Sequence, residues 1–275
     1  MAPRSGDPRP PAAATLVSLG ADPRAGFVVA GDLGLRGVQL SGGQPGTRPR
    51  DLDRSGRRDL LAVARRNELE VAGIDAWIPP EAMLDSSHAD QAAGELLSAI
   101  ELAGDLGGVG VSLRFPPAGA DEIVATLAAS AARLGVMLID HAVPPRGRGA
   151  TRVNQDASPK GLLIPGDVDP DEGSRKVAAE SSVIEGVGIG IDPPAWLVAG
   201  LDVLDGAASG VESVRLADLT PDGMRIPAGD PDGRIDPAAL IAVARTGGWE
   251  GLPIIDARRW NDPLSGIRAT LSRIS

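Results

Sequence analysis

The chain has 275 residues, 43% of them apolar but only 2% aromatic, with no Cys, no Tyr and just two His. Twenty-seven basic against 37 acidic side chains leave a formal net charge of −10, which repels phosphate backbones and argues against general nucleic-acid binding. The lack of Cys excludes disulfides, thiolate chemistry and Cys-based zinc sites, two His are too few for a site of several imidazoles, and no apolar run approaches the ~20 residues of a membrane span.

The opening segment, MAPRSGDPRPPAAAT, is Pro-rich and lacks the apolar centre of a signal peptide. Residues 1–13 read as a disordered tail, residues 14–275 as one domain, and the location as cytoplasmic. From there short β-rich runs alternate with helical patterns. The strands are TLVSLG (15–20), RGVQL (36–40), LEVAGIDAWI (69–78), VGVSLRF (109–115), VMLID (136–140), VGIGID (187–192), ESVRLAD (212–218) and LPIID (252–256). Between them, Leu96, Ile100, Ala103 and Leu106 recur at helical spacing over 90–107, with Ser86 or Ser87 as cap. Ile123, Leu127, Ala131 and Leu134 repeat the pattern over 121–134, and Gly135 ends it. In DPAALIAVARTGG, Asp236 is the N-cap, Pro237 the first helical residue and Gly247 the stop. Asp-Pro also precedes helices at 22–23, 169–170, 192–193 and 262–263.

Eight strands with helical connections predict an α/β fold, a single (β/α)8 TIM barrel, for which ~250 residues are typical. A doubly wound open sheet is the alternative, but SLGADPRAG after the first strand lacks the phosphate-loop fingerprint. Two long connections, 141–168 and 219–235, follow strands. In a barrel they lie on the C-terminal face, where active sites are built, as lids or as plain surface loops.

Strand ends on that face carry Gln39, Asp75, Trp77, Arg114, Asp140, His141, Asp192, Arg215, Asp218, Asp256 and Arg258. Asp140, Asp192 and Asp256 form an expected ring that either binds a divalent cation or is neutralised by a protein cation. Each has a plainer reading. Asp192 suits an N-cap, Asp218 and Asp222 a turn, His141 a base, a ligand or a loop residue, and His88 the surface. Trp77, Trp196 and Trp260 fall just past strands three, six and eight, either as stacking walls for a sugar ring or as packing under the loops. Arg114, Arg146, Arg148, Arg225, Arg258 and Arg259 are candidates for a phosphate clamp.

LGLRGVQL at strand two, SAIELAGDLGGVGVSL leading into strand four, GIGIDPPAWLVAGLD at strand six and the run ESVRLADLTPDGMRIPAGDPDGRIDPAALIAVARTGGWEGLPIID at strands seven and eight resemble the xylose-isomerase-like barrel superfamily of sugar and sugar-phosphate isomerases and epimerases, over about residues 15–272. The resemblance implies a metal site with Glu, Asp, His and Glu at the ends of strands five to eight. This sequence has Asp140, Asp192, Arg215 and Asp256 there, and the family's H-x-x-D becomes RLAD. A guanidinium has no lone pair to offer a metal. No cofactor is therefore expected. A divalent Mn, Mg or Zn ion on Asp140, Asp192 and Asp256 is the alternative that the resemblance implies.

The resulting expectation is an isomerase or epimerase in which Asp140 and Asp256 move a proton, Asp192 orients and Arg215 stabilises charge. Trp77, Arg114, His141, Asp192, Trp196, Arg225, Arg258 and Trp260 would bind a small carbohydrate-type substrate. The alternative is an inactive barrel that binds a sugar-like ligand or a protein partner. No nucleic-acid or membrane partner is expected, and a homo-oligomer stays open.

Overall fold

The computed structural model describes residues 11–143 and 184–274. Eight parallel strands close into a barrel: β1 (Ala13–Thr15), β2 (Gly37–Ser41), β3 (Glu70–Asp75), β4 (Val111–Leu113), β5 (Leu138–Asp140), β6 (Val187–Ile191), β7 (Ser213–Leu216) and β10 (Ile254–Ile255). Two further strands, β8 (Asp218–Leu219) and β9 (Arg225–Ile226), form an antiparallel ribbon beyond β7. β1 joins β10 on one side and β2 on the other, which closes the ring and leaves no sheet edge.

Eight α-helices lie among the described residues: α1 (Pro23–Asp32), α2 (Arg54–Arg66), α3 (Ala89–Asp105), α4 (Asp121–Arg133), α5 (Pro193–Val198), α6 (Val203–Ala208), α7 (Pro237–Thr246) and α8 (Pro263–Ile274). Their start signals are local. Asp22 and Asp236 cap α1 and α7 through their carboxylates, each with Pro at the first helical position. With few aromatics to hand, the layer between strands and helices is filled by Ala, Val, Leu and Ile, including Leu96, Ile100, Leu102, Val124 and Leu127.

Several boundaries differ from the expectation. The first strand is Ala13–Thr15, and Leu16–Leu19 turns as a 3-10 helix that buries Leu16 and Leu19. Ala12 and Ala13 are fully buried, so the barrel begins inside the segment read as tail. Neither Ser86 nor Ser87 caps α3. His88 holds that place without a capping bond, while Ser87 and His88 both bind the Asp85 carboxylate. The strand expected over 212–218 breaks after Leu216, and Asp218 starts the ribbon. Tail residues 1–10, the Asp-Pro at 169–170 and nearly all of the 141–168 connection lie outside the described residues.

The 219–235 connection is tied to the barrel by one buried group. Asp218 Oδ1 accepts from Leu219 N at 2.7 Å, and Oδ2 accepts from Arg234 N at 2.8 Å and Ile235 N at 2.7 Å. Thr220 and Asp222 hydrogen-bond within the turn, so both Asp218 and Asp222 shape the loop. A Cβ on Gly233 would lie 2.2 Å from Asp218 Oδ2, so this approach needs glycine. The anchored ribbon presents Arg225 to the barrel mouth.

One register irregularity bears on the barrel mouth. β2 and β3 pair Val38 with Val71 but Gln39 with Gly73, so Ala72 has no partner. Such a bulge shifts side-chain phase by one residue and re-aims the rest of the strand, here including Asp75.

Two glycines test this packing. A Cβ on Gly206 in α6 would lie 2.5 Å from the Trp196 ring, whereas one on Gly94 in α3 meets nothing within 4 Å. Gly94→Ala is expected to raise Tm by about 1–3 °C through helix propensity, and Gly206→Ala to lower it by about 3–8 °C through overpacking. Thermal melts of the two variants check this, and a rise in both would refute the Trp196 packing.

Candidate functional site

A cavity of about 360 Å³ opens at the C-terminal mouth of the barrel. Its polar wall comes from strand ends and from the loops just beyond them. Asp75 ends β3, Arg114 follows β4, Asp192 follows β6, Arg215 lies in β7, Arg225 lies on the ribbon, and Asp256 and Arg258 follow β10.

Arg258 is the central cation. It grips Asp256 with two parallel bonds, Nε to Oδ1 at 2.6 Å and Nη2 to Oδ2 at 2.5 Å, and reaches Asp75 Oδ2 through Nη1 at 2.5 Å. Arg225 Nη2 lies 3.1 Å from Asp256 Oδ2 and 3.6 Å from Asp192 Oδ1. Arg215 Nη2 stands 3.2 Å from Asp75 Oδ1, and its Nη1 3.9 Å from Asp256 Oδ2. Arg114 Nη2 contacts Asp192 Oδ2 at 3.1 Å. Among the described residues three carboxylates thus face four guanidiniums, with exposed Arg259 as a fifth at the rim.

The electrostatics follow from burial and pairing together. Burial opposes ionisation of Asp256, but the Arg258 hydrogen bonds and the charges of Arg258, Arg215 and Arg225 outweigh it and hold the carboxyl at about 2. For Arg258 burial likewise opposes the charge, and Asp256 and Asp75 more than offset it, so its pKa rises.

The ring of carboxylates is therefore Asp75, Asp192 and Asp256, in place of the expected Asp140, Asp192 and Asp256. Asp140 does not line the cavity. Its Oδ1 accepts from Phe115 N at 3.1 Å and Ala142 N at 2.8 Å, which ties together the chain leaving β4 and β5. Off the cavity wall, it is not placed to be the expected proton mover. Asp75 is visible in the sequence only as a strand-end acid, and its inclusion depends on the β3 bulge.

His141 is fully buried and also lies off the cavity lining. Its Nε2 is 3.2 Å from Ser112 Oγ, which also accepts from Gln39 Nε2 at 3.2 Å. Burial, with the charges of Arg215, Arg114 and Arg258, holds its pKa well below the ordinary value, so the imidazole is neutral. Its ring lies against Gly190, where a Cβ would come within 2.3 Å. His141 thus belongs to a polar core beneath the site and is not a substrate contact.

Of the three tryptophans expected as walls, only Trp77 lines the cavity. It is 52% exposed, has φ +56°, and the Arg258 guanidinium carbon lies 4.4 Å from its ring centroid, a cation–π stack. Trp196 and Trp260 are buried, their rings filling the space that Gly206 and Gly266 leave open. They are packing residues. Arg146 and Arg148 lie outside the described residues.

Asp192 precedes Pro193 as N-cap of α5, yet its side chain makes no capping bond. The carboxylate turns into the cavity, where Oδ1 is buried without a hydrogen-bond donor among the described residues.

The residues present do not fit the divalent ion that the resemblance implies. Among the described residues no group of three His, Cys, Asp or Glu side chains is placed to hold a metal ion. The carboxylate oxygens face guanidinium nitrogens, and Arg215, where the resemblance implies an imidazole, is paired with Asp75 and Asp256.

No helix among the described residues is long and apolar enough to cross a membrane. No family model and no curated protein matches the chain. Solved structures do. A xylose isomerase domain protein from Alicyclobacillus acidocaldarius subsp. acidocaldarius superposes with a TM-score of 0.66 at 16% identity over 96% of both chains. One from Planctomyces limnophilus gives 0.65 at 15% identity over 96% of this chain and 95% of that one. The 3-keto-D-glucoside 4-epimerase from E. coli gives 0.62 at 15% identity over 91% and 93%. At these identities the likeness is one of fold, and the chain has the fold of the xylose-isomerase-like TIM barrels.

Proposed function

We propose that this barrel binds a small carbohydrate-type molecule at its C-terminal mouth, and that Arg215, Arg225 and Arg258 supply the positive charge there without a divalent ion. One observation carries the reading: every carboxylate in the cavity wall is paired with a guanidinium from another part of the chain. Trp77 offers an apolar face with an N–H donor, which suits a sugar ring. The barrels it resembles include one named as a 3-keto-D-glucoside 4-epimerase, which supports a carbohydrate-type ligand.

Proton transfer by Asp256 is disfavoured on magnitude. An efficient base has a pKa near the working pH, and a carboxyl at about 2 with both oxygens held by Arg258 is a weak one. The binding barrel is therefore the first reading. The isomerase or epimerase reading is second, and Asp192 favours it: a buried carboxylate at the cavity with one oxygen free of hydrogen bonds. In that reading Asp192 removes a proton from a hydroxyl-bearing carbon beside a carbonyl, and the electron pair moves onto the carbonyl oxygen as an enediolate stabilised by the cavity guanidiniums. Asp192 then returns the proton to the former carbonyl carbon, while the hydroxyl proton passes to the former carbonyl oxygen.

A thermal-shift panel tests both. Mn²⁺, Mg²⁺, Zn²⁺ and EDTA are expected to leave Tm unchanged, while at least one aldose, ketose, sugar acid or sugar phosphate raises it. Stoichiometric stabilisation by an ion, or silence across the whole sugar panel, would overturn the proposal. Binding without deuterium uptake at the ligand C–H in D₂O is expected from the first reading. Uptake that Asp192→Asn abolishes would establish the second.

Acid stability provides a further check. The folded pKa of Asp256 lies below its unfolded value of 3.8, so its contribution is fully present above about pH 4 and is lost as pH falls through about 2. The shift corresponds to on the order of 2 kcal/mol. Tm is expected to fall between pH 4 and 2, and Arg258→Gln should move that loss to higher pH. An unchanged acid profile in the variant would contradict the Arg258–Asp256 assignment.

A further inference from the structure

We infer that the ligand carries an anionic group, a phosphate or a carboxylate, seated on Arg215, Arg225 and Arg114; this rests on the ligand-binding reading above. Charge is the first reason. The chain as a whole is at −10, yet among the described residues four guanidiniums and three carboxylates line the cavity, and Arg259 stands at the rim. An excess cation inside a cavity is poorly screened, so an entering anion gains more there than at the surface.

Unused donors are the second reason. Arg215 is 6% exposed, and its contacts are ion pairs at 3.2 and 3.9 Å. Its Nε–H is buried with no acceptor among the described residues, and the Nε–H of Arg225 is in the same state. A buried donor without an acceptor costs about 1–3 kcal/mol, and more when charged. Both residues line one cavity, and an acceptor oxygen that reached either Nε–H would satisfy it. Arg114 adds a half-exposed guanidinium of which, among the described residues, Nη2 is engaged by Asp192.

A neutral sugar hydroxyl also accepts from Nε–H, so donors alone do not decide the class. Charge does. A hydroxyl leaves the excess cation uncompensated, whereas a phosphate or carboxylate cancels it and accepts from guanidinium forks in a bidentate way. Asp192 Oδ1 is the opposing feature, a buried carboxylate oxygen in the same wall. It faces Arg225 Nη2 at 3.6 Å, so the anion would share Arg225 with it.

The experiment is isothermal titration of the full chain with D-glucose, D-gluconate, D-glucose 6-phosphate and inorganic phosphate at 50 and 500 mM KCl. At least one of the two charged sugars is expected to bind 10-fold or more tightly than D-glucose at 50 mM KCl and to lose most of that margin at 500 mM. Preference between gluconate and the phosphate identifies the anion. Arg225→Gln and half-exposed Arg114→Gln are each expected to weaken the charged sugar about 10-fold, well beyond any loss for D-glucose, so that the margin between the two closes. Arg215→Gln risks the fold by leaving Asp75 short of a partner, so Arg114→Gln carries the test. D-glucose binding as tightly as both charged sugars overturns the anion inference and leaves the carbohydrate reading standing. Inorganic phosphate binding as tightly as any sugar supports the anion seat and overturns the carbohydrate reading. Wild-type affinity in both Arg variants overturns the residue assignment, and binding of none of the four ligands overturns inference and reading together.

Discussion

The barrel mouth is organised around one buried guanidinium. Arg258 holds Asp256 in a fork and extends to Asp75, so it links the end of β10 to the end of β3 across the two strands that lie between them in the ring. Taking three charged groups out of water is costly, and such a bridge does not add stability as a matter of course. Its consequence is geometric. With Arg258 gone Asp75 keeps Arg215 and Asp256 keeps Arg225, so the loss is smaller than that of a fully broken buried pair, about 3–5 kcal/mol, but the link between the two strand ends is gone. The same guanidinium stacks on Trp77 and thereby places the one tryptophan that faces the cavity.

A second buried carboxylate does comparable work in the backbone. Asp218 collects three main-chain N–H groups and fastens the 219–235 connection to the end of β7. Arg225 rides on that connection, so its guanidinium arrives at Asp256 from a ribbon outside the barrel. The loop therefore supplies part of the cavity wall. Local backbone satisfaction and site electrostatics are coupled through Asp218, although Asp218 touches neither the cavity nor its charges.

The cavity reverses the charge logic of an oxygen-lined cation site. Strand-end carboxylates persist, but guanidiniums answer them from β7, from the ribbon and from the segment after β10. Guanidiniums keep their charge at any working pH and offer donors in fixed planes. Such donors suit acceptor-rich molecules better than a mobile cation. Beneath it, Gln39, Ser112 and neutral His141 form a polar layer in which the Ser112 hydroxyl joins the Gln39 amide to the imidazole Nε2.

How far the sequence reaches differs sharply between fold and site. Alternating apolar runs, Asp-Pro starts and Gly stops are local signals, and they suffice for eight strands in βα order and for the caps at Asp22 and Asp236. Arg215 stands out because a fixed charge in an apolar strand needs a partner; its nearer partner is Asp75 at 3.2 Å, outside the expected ring, with Asp256 of that ring at 3.9 Å. The site itself is only half legible. Asp75, Asp140, Asp192 and Asp256 all follow an Ile near a strand end, and nothing in those short strings distinguishes them. A bulge beside Ala72 aims Asp75 inward, and two backbone amides capture Asp140. Trp196 and Trp260 sit in slots left by glycines on neighbouring helices. Periodicity and punctuation act over a few residues and so are written in the chain. Which carboxylate meets which guanidinium depends on register and on contacts up to 183 residues apart, and only the closed barrel brings those groups together.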